Sequence, residues 1–371
     1  MIGSSWLGRP KTELDTPALL IDLAAFEANL ETMRRLTAER GIAYRPHGKA
    51  HKSPLLAHKQ LEAGAIGICC AKLGEAEVMV AAGIPGILVT AEVVGPAKLA
   101  RLTAAARHGD VMVVADHPTG VAELSGAARA AGLELGVLVE IDAGQGRCGT
   151  PPGAPALDVA RRIADAKGLI FRGVQGYHGS IQGIVEYPRR QAEARAAAGR
   201  LVETVELIRK DGLAVEIVTA GGTGTLSFDT AVGGLTEVQP GSYIFMDATY
   251  RRIQWTAAGD PPPFAPALTV LGTVISRPAR DRAVVDVGWK AASSDSGPIV
   301  PIGVPGARFD FGGDEYGILR FEGACPLGLG AKVEFYPSHC DTTVNLYDHY
   351  VALRDGVVEG VWSIPGRGKS Q

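Results

Sequence analysis

The chain lacks the features that would direct it to a membrane, to nucleic acid or to an oxidising compartment. Its five cysteines (Cys69, Cys70, Cys148, Cys325 and Cys340) show no CxxC spacing and no disulfide framework. No apolar run approaches the ~20 residues of a membrane span. Residues 1–15 lack the basic-then-apolar layout of a signal peptide. Neither sign of charge dominates: a net charge of -3 and a pI near 6.3 give no reason to expect nucleic acid or an anionic membrane as partner. These absences lead to the expectation of a reduced, cytoplasmic protein acting on small molecules. What is present, 371 residues at 46% hydrophobic and 21% charged, is ordinary globular composition with room for two domains or one barrel with an appendage.

The apolar runs come in a rhythm. Thr16-Pro17-Ala18-Leu19-Leu20-Ile21 reads as a strand, and Asp22 then caps a helix with Leu23, Phe26, Leu30, Met33 and Leu36 at helical spacing. Short apolar runs follow at 42–47, 66–70, 86–92, 111–115, 135–142, 171–178, 215–220 and 237–245. Helical patterns separate most of them, at 54–63, 73–82, 96–107, 120–131, 156–166 and 189–210. Eight near-continuously apolar runs alternating with helices predict an α/β fold, a (β/α)8 TIM-type barrel over residues 23–250. A doubly wound open sheet is the alternative. After Asp260-Pro261-Pro262-Pro263 the pattern changes to strands at 268–275, 283–287, 332–336 and 350–354, separated by Gly, Pro and Asp turns. This predicts a C-terminal β domain over 251–371, joined by residues 1–22.

Four stretches carry residue types suited to chemistry. In Arg45-Pro46-His47-Gly48-Lys49-Ala50-His51-Lys52, a lysine ends the first barrel run, at the face where barrel active sites are built. Schiff-base chemistry needs a neutral amine, and neighbouring cations with burial depress a lysine pKa. Arg45, His47, His51 and Lys52 would supply that field, so Lys49 is the expected attachment point of pyridoxal phosphate. Thr219-Ala220-Gly221-Gly222-Thr223-Gly224-Thr225 follows the seventh run, where backbone N–H groups commonly converge on a phosphate. The eighth run brings Gly241-Ser242-Tyr243 to the same rim. Arg147, in the glycine-rich loop 142–149, can pair with a cofactor oxygen or a substrate carboxylate, and Tyr177 can pack on a ring cofactor. His178 beside it is a candidate base. Finally, Pro337-Ser338-His339-Cys340-Asp341 read as extended chain would point His339 and Asp341 to one side, toward a divalent cation such as Mn²⁺ or Mg²⁺, with Zn²⁺ also compatible.

Taken together, these motifs resemble the fold-type III pyridoxal-phosphate enzymes, in particular the D-threonine aldolase/D-serine dehydratase group. The matching residues run along nearly the whole chain, from Thr16-Pro17 and the Lys49 motif through Gly67-Ile68-Cys69-Cys70, Asp142–Gly149, Gly221–Gly224 and Gly241-Ser242-Tyr243 to His339-Cys340-Asp341. The resemblance implies an alanine-racemase-like barrel with Lys49 carrying the cofactor, the glycine loop on its phosphate and Arg147 near its phenolic oxygen. His47, Tyr177, Gly221, Gly222, Thr223, Gly224, Ser242 and Tyr243 complete the expected cofactor shell. It further implies metal binding by His339 and Asp341 and a head-to-tail homodimer with shared active sites. Dehydratases of the group typically place cysteine where this chain has Asp341, which puts the chain on the aldolase branch: retro-aldol cleavage of D-3-hydroxy amino acids to glycine and an aldehyde. The rivals are a D-3-hydroxy amino acid dehydratase and a non-catalytic pyridoxal-phosphate-binding protein. Two positions depart from the aldolase pattern, Gly183 and Tyr316, each where a histidine is frequent.

Overall fold

The computed structural model describes residues 5–371; residues 1–4, assigned by sequence to the β domain, lie outside the described residues. A strand β1 (Ala18–Asp22) leads into helix α1 (Leu23–Arg40), whose first turn is closed by the Asp22 carboxylate accepting from the Ala25 amide at 3.0 Å. Eight parallel strands follow: β2 (Ala43–Tyr44), β3 (Ile68–Cys70), β4 (Ile87–Val89), β5 (Val111–Ala115), β6 (Leu135–Glu140), β7 (Leu169–Gly176), β8 (Ile217–Ala220) and β9 (Glu237–Val238). The interleaved helices are α2 (Pro54–Glu62), α3 (Leu73–Ala81), α4 (Pro96–Ala106), α5 (Pro118–Ala131), α6 (Ala154–Asp165), α7 (Tyr187–Lys210) and the short α8 (Leu226–Asp229). The sheet order is β2-β9-β8-β7-β6-β5-β4-β3, and a parallel bridge between His47 and Cys69 joins its two ends. An open doubly wound sheet is thereby set aside.

The continuous apolar runs have a physical reason. Alternate residues of one strand serve two clusters: Leu88, Met112, Val114 and Leu138 pack together with Cys69 and Ile217, while Ile87, Val89, Val111, Val113, Val137 and Val139 pack with the helical layer. At the base of the ring, Arg45 forms a bidentate pair with Glu237 at 3.0 and 2.9 Å. Both are buried, so removing either partner would cost about 3–5 kcal/mol.

After the short helix α9 (Ala248–Arg252) the chain builds a second sheet from β10 (Leu268–Ala279), β11 (Arg282–Val285), β12 (Val300–Ile302), β13 (Arg308–Phe311), β14 (Gly317–Arg320), β15 (Lys332–Tyr336), β16 (His349–Arg354) and β17 (Val357–Ser363). β1 joins it, antiparallel to β10 and parallel to β16. Of these, β12, β13, β14 and β17 were not predicted from sequence, being short or part-exposed. Residues 337–341 differ from the expectation. Only His339 is extended; Cys340–Val344 is a short helix, α10, because the buried Asp247 carboxylate accepts the Cys340 amide at 3.0 Å and holds its first turn. One apolar cluster runs from α1 through Tyr243, Ile244 and Phe245 into Phe335 and Tyr350, and so ties the second sheet to the barrel.

Candidate active site

The 3₁₀ turn Gly48–Ala50 places Lys49 just beyond β2, next to the bridge that closes the ring. Its Nζ lies 3.7 Å from Asp341 Oδ2 and 5.7 Å from the centroid of the Tyr177 ring, and the Arg147 guanidinium carbon lies 5.8 Å from the same ring. His47, Lys49, Tyr177 and Gln239 form a wall shared by two cavities. One, of about 250 Å³, extends to Lys72, Glu92, Arg147 and Cys148. The other, of about 310 Å³, extends to Gly222, Thr223, Ser242, Asp247, His339 and Asp341.

The electrostatics correct one expectation. The neighbouring cations do not form a field that depresses Lys49. Arg45 is neutralised by Glu237, Lys52 pairs with Glu75, and burial pushes His51 down to about 4, leaving it uncharged near neutral pH. Burial pushes the Lys49 ammonium down as well, but the Asp341 carboxylate, helped by Tyr177, outweighs it and the pKa is raised. In the cofactor-free protein Lys49 is therefore the counter-ion of Asp341.

Around His339 three carboxylates gather. Its Nδ1 is 2.7 Å from Asp295 Oδ2 and its Nε2 is 3.8 Å from Asp341 Oδ2, with Asp247 on the same cavity wall. Burial alone would lift the Asp295 carboxyl, yet hydrogen bonds from Ser293, His339 and Thr342 bring it down to about 2. A histidine that gives one nitrogen to a carboxylate and turns the other toward a second carboxylate has the donor chemistry of a metal ligand. Among the described residues no set of three or more His, Cys, Asp or Glu side chains surrounds a common point. The donor set thus fits an ion held by His339 and Asp341 whose remaining positions are open to water or substrate.

The glycine loop is built differently from a ring of free amides. The Gly222 amide donates to Thr225 Oγ1 at 3.3 Å and the Gly224 amide to Gln182 Oε1 at 3.0 Å. A Cβ on Gly224 would stand 2.1 Å from the Gln182 carbonyl, and Gly221 has φ +79°, so the fold needs glycine at both positions. The loop's offering to the cavity is the Thr223 hydroxyl, buried without a partner, beside Ser242 on the same wall. His47, on the shared wall, likewise has a buried, unpartnered Nδ1, while its Nε2 meets Thr90 Oγ1 at 3.1 Å. Buried polar atoms with no protein partner are what a phosphorylated polar cofactor would satisfy.

Residues 21–249 match the family described as alanine racemase, N-terminal domain, and residues 267–353 match "Putative serine dehydratase domain". A D-threonine aldolase of Arthrobacter sp. is 44% identical over 98% of this chain and 96% of its own length. The chain belongs to the D-threonine aldolase/D-serine dehydratase group of fold-type III pyridoxal-phosphate enzymes. A 3-hydroxy-D-aspartate aldolase of Paracoccus denitrificans (strain Pd 1222) is 39% identical over 98% of this chain and 94% of that protein. The crystal structure of D-threonine aldolase from Filomicrobium marinum superposes with a TM-score of 0.95 at 42% identity, covering 98% of each chain.

As a member of this group the chain brings Lys49, His47, Arg147, Tyr177, Gly222, Thr223, Ser242, His339 and Asp341 to the cavity walls. Four expected residues are not there. His178 is not on the wall of either cavity: its Nδ1 lies 3.2 Å from Ser180 Oγ, its ring lies against Gly144, and Tyr177 takes the wall position. Tyr243 is fully buried in the apolar core, its hydroxyl accepting from Gln60 at 3.1 Å. Gly221 and Gly224 shape the loop but do not line the cavity. Sequence reasoning missed Gln182, which braces the loop, and Asp295 and Asp247, which orient His339 and α10. Their partners are distant in sequence, and no local motif marks them.

Proposed function

We propose that this enzyme cleaves D-3-hydroxy amino acids of the D-threonine type to glycine and an aldehyde, as a carbon–carbon lyase dependent on pyridoxal phosphate and a divalent cation, Mn²⁺ or Mg²⁺ with Zn²⁺ as substitute. The observation that carries this reading is the meeting, on one cavity, of the Lys49 amine with the His339/Asp341 pair. When bound, pyridoxal phosphate supplies an electron sink for charge at Cα, and the ion supplies Lewis acidity toward the 3-hydroxyl. Lys49 Nζ attaches the cofactor. Thr223 and Ser242 would hold its phosphate and Arg147 its phenolic oxygen, with Tyr177 beside the lysine. His339 Nε2 and Asp341 Oδ2 hold the ion, with Asp295 fixing the imidazole by its Nδ1.

The Cα–Cβ bond breaks as the 3-hydroxyl loses its proton, and Cα gains a proton to become glycine. His178 sits one hydrogen bond behind Ser180, which lines the second cavity; His47 and His339 are the imidazoles on the walls. Gly183 lines the same cavity, and its missing side chain leaves room on the substrate side, whereas Tyr316 is exposed on the hairpin between β13 and β14. Exposed Trp289 and Tyr316 on the second sheet support a homodimer in which that sheet covers a neighbouring site. No helix among the described residues is long and apolar enough to cross a membrane, and we place the enzyme in the cytoplasm on the reduced state of its five cysteines.

The second reading, a dehydratase, draws on the family matched by residues 267–353. A panel of D- and L-3-hydroxy amino acids, assayed with added Mn²⁺, Mg²⁺ or Zn²⁺ and after chelation, separates the two. The expected result is glycine and aldehyde from the D-substrates only, lost on chelation and restored by metal; a 2-oxo acid and ammonia would overturn the aldolase reading.

A further inference from the structure

The turn that presents Lys49 is closed on itself by the Lys52 amide donating to the Gly48 carbonyl at 2.7 Å and the His51 amide to the same carbonyl at 3.1 Å. The segment that leaves this turn is held from the far end of the chain. The Tyr350 hydroxyl donates to the His51 carbonyl at 2.6 Å, the Gly366 amide donates to the Lys52 carbonyl at 2.9 Å, and Ser53 Oγ donates to the Ser363 carbonyl at 3.4 Å. Successive residues are thus fixed from one remote source.

The donor itself is rigid. Tyr350 is fully buried in β16, which is paired on one side with β1 and on the other with β17, opposite Trp362. Its ring leans on Phe245 at 5.7 Å. Burial pushes the phenol well above its ordinary range, so the hydroxyl stays protonated and donating at any working pH. Contact at Gly366 is equally close: a Cβ there would stand 2.6 Å from the Lys52 carbonyl oxygen and 3.0 Å from Lys52 Cβ. Lys52 has the left-handed φ of 53°, a conformation a non-glycine residue keeps only when its surroundings impose it. From Lys52 the brace continues inward. Its Nζ pairs with buried Glu75, whose other oxygen accepts the Ala71 amide at 2.8 Å, and Ala71 and Lys72 line the first cavity.

We propose that Tyr350 and the chain around Gly366 set the position of the Lys49 turn, making Tyr350 a positioning residue for the cofactor-bearing lysine. This rests on the reading of Lys49 as the attachment point. A reacting amine must stand within a narrow range of position and direction to be effective, and the turn's own hydrogen bonds do not connect it to the second sheet. The long-range bonds do.

The test uses Tyr350→Phe in the full chain, with Tyr347→Phe as its control, since Tyr347 donates a comparable bond to the Ala291 carbonyl at 2.7 Å in the same domain. Loss of one such buried bond shifts an equilibrium about five- to tenfold. For Tyr350→Phe we expect the dissociation constant for pyridoxal phosphate to rise by about that factor, kcat to fall similarly with KM within about twofold, and amide exchange over residues 48–53 of the apoprotein to quicken about fivefold. Tyr347→Phe should lower the melting temperature and leave all three unchanged. If both variants lose the same thermal stability while cofactor affinity, kcat and local exchange stay at wild-type values, the proposal is wrong. Should Tyr350→Phe fail to fold, Gly366→Ala applies, because its Cβ must displace Lys52; wild-type behaviour there also overturns the proposal. The exchange measurement needs no cofactor, so a failure of the Lys49 assignment, seen as cofactor absorbance persisting in Lys49→Ala, is separable from a failure of the brace.

Discussion

The two sides of the active site handle charge in opposite ways. On the barrel side the cations are consumed locally: Arg45 by Glu237 and Lys52 by Glu75, both buried pairs, with His51 left neutral. On the side of the second sheet, anions are concentrated instead, Asp341, Asp295 and Asp247 gathering on a single histidine. Lys49 faces across the divide, and its state follows from the far side rather than from its own sequence neighbours. The lesson is that a basic stretch in sequence need not be a basic place in the fold. Burial forces each charge to find a partner, and here every partner except that of Lys49 lies within the barrel.

The contrast can be broken most severely at its centre. Lys49→Ala should abolish the visible absorbance of the lysine-bound cofactor and lower turnover by at least about a thousandfold; a spectrum like that of wild type would remove Lys49 from the role. Next in size, Asp341→Asn should cost on the order of a hundredfold or more in affinity for the divalent ion while cofactor absorbance persists, and Asp295→Asn, which acts only through His339, about tenfold. Metal titration of the chelated variants measures both, and equal losses would mean that the two carboxylates play the same part.

A separate effect, on stability rather than on affinity, lies under the glycine loop. Burial raises the Asp229 carboxyl to about 7, despite hydrogen bonds from Thr225 and the Gly222 amide. The folded state therefore keeps its proton over a range where the unfolded chain, near the ordinary 3.8, has lost it. Stability from this group is fully present below the unfolded pKa and is lost as pH rises toward 7, on the order of 3–4 kcal/mol across the window. Asp229→Asn apoprotein should lack that decline, so its melting temperature relative to wild type should climb from pH 4 to pH 7.

The barrel was legible because its strands are buried on both faces and its helices obey a simple period. All eight predicted strands are present, though the run 237–245 yields only Glu237–Val238 before turning into a 3₁₀ segment at Ser242–Ile244. The second sheet was less so: β12 has three residues, none of them buried, and β13 has four with Phe309 alone buried, which leaves little apolar signal to read. Of the expected site residues, Lys49, Arg147, Tyr177, Thr223, His339 and Asp341 reach the cavity walls, each from a compact motif. Tyr243 and His178 lie off the cavity walls beside residues that reach them, Ser242 and Tyr177, and sequence alone does not say which of two polar neighbours turns inward.

The contact between Tyr350 and His51 spans 299 residues. A chain made from its N-terminus completes the barrel, with Lys49 in it, long before Asp341, Tyr350 and Gly366 exist. Until those residues arrive, the lysine has neither its counter-ion nor the brace on its turn. Chemical competence thus waits on residues 341–366, and a chain that stops short of them carries a reactive-type lysine that is not yet set for its cofactor.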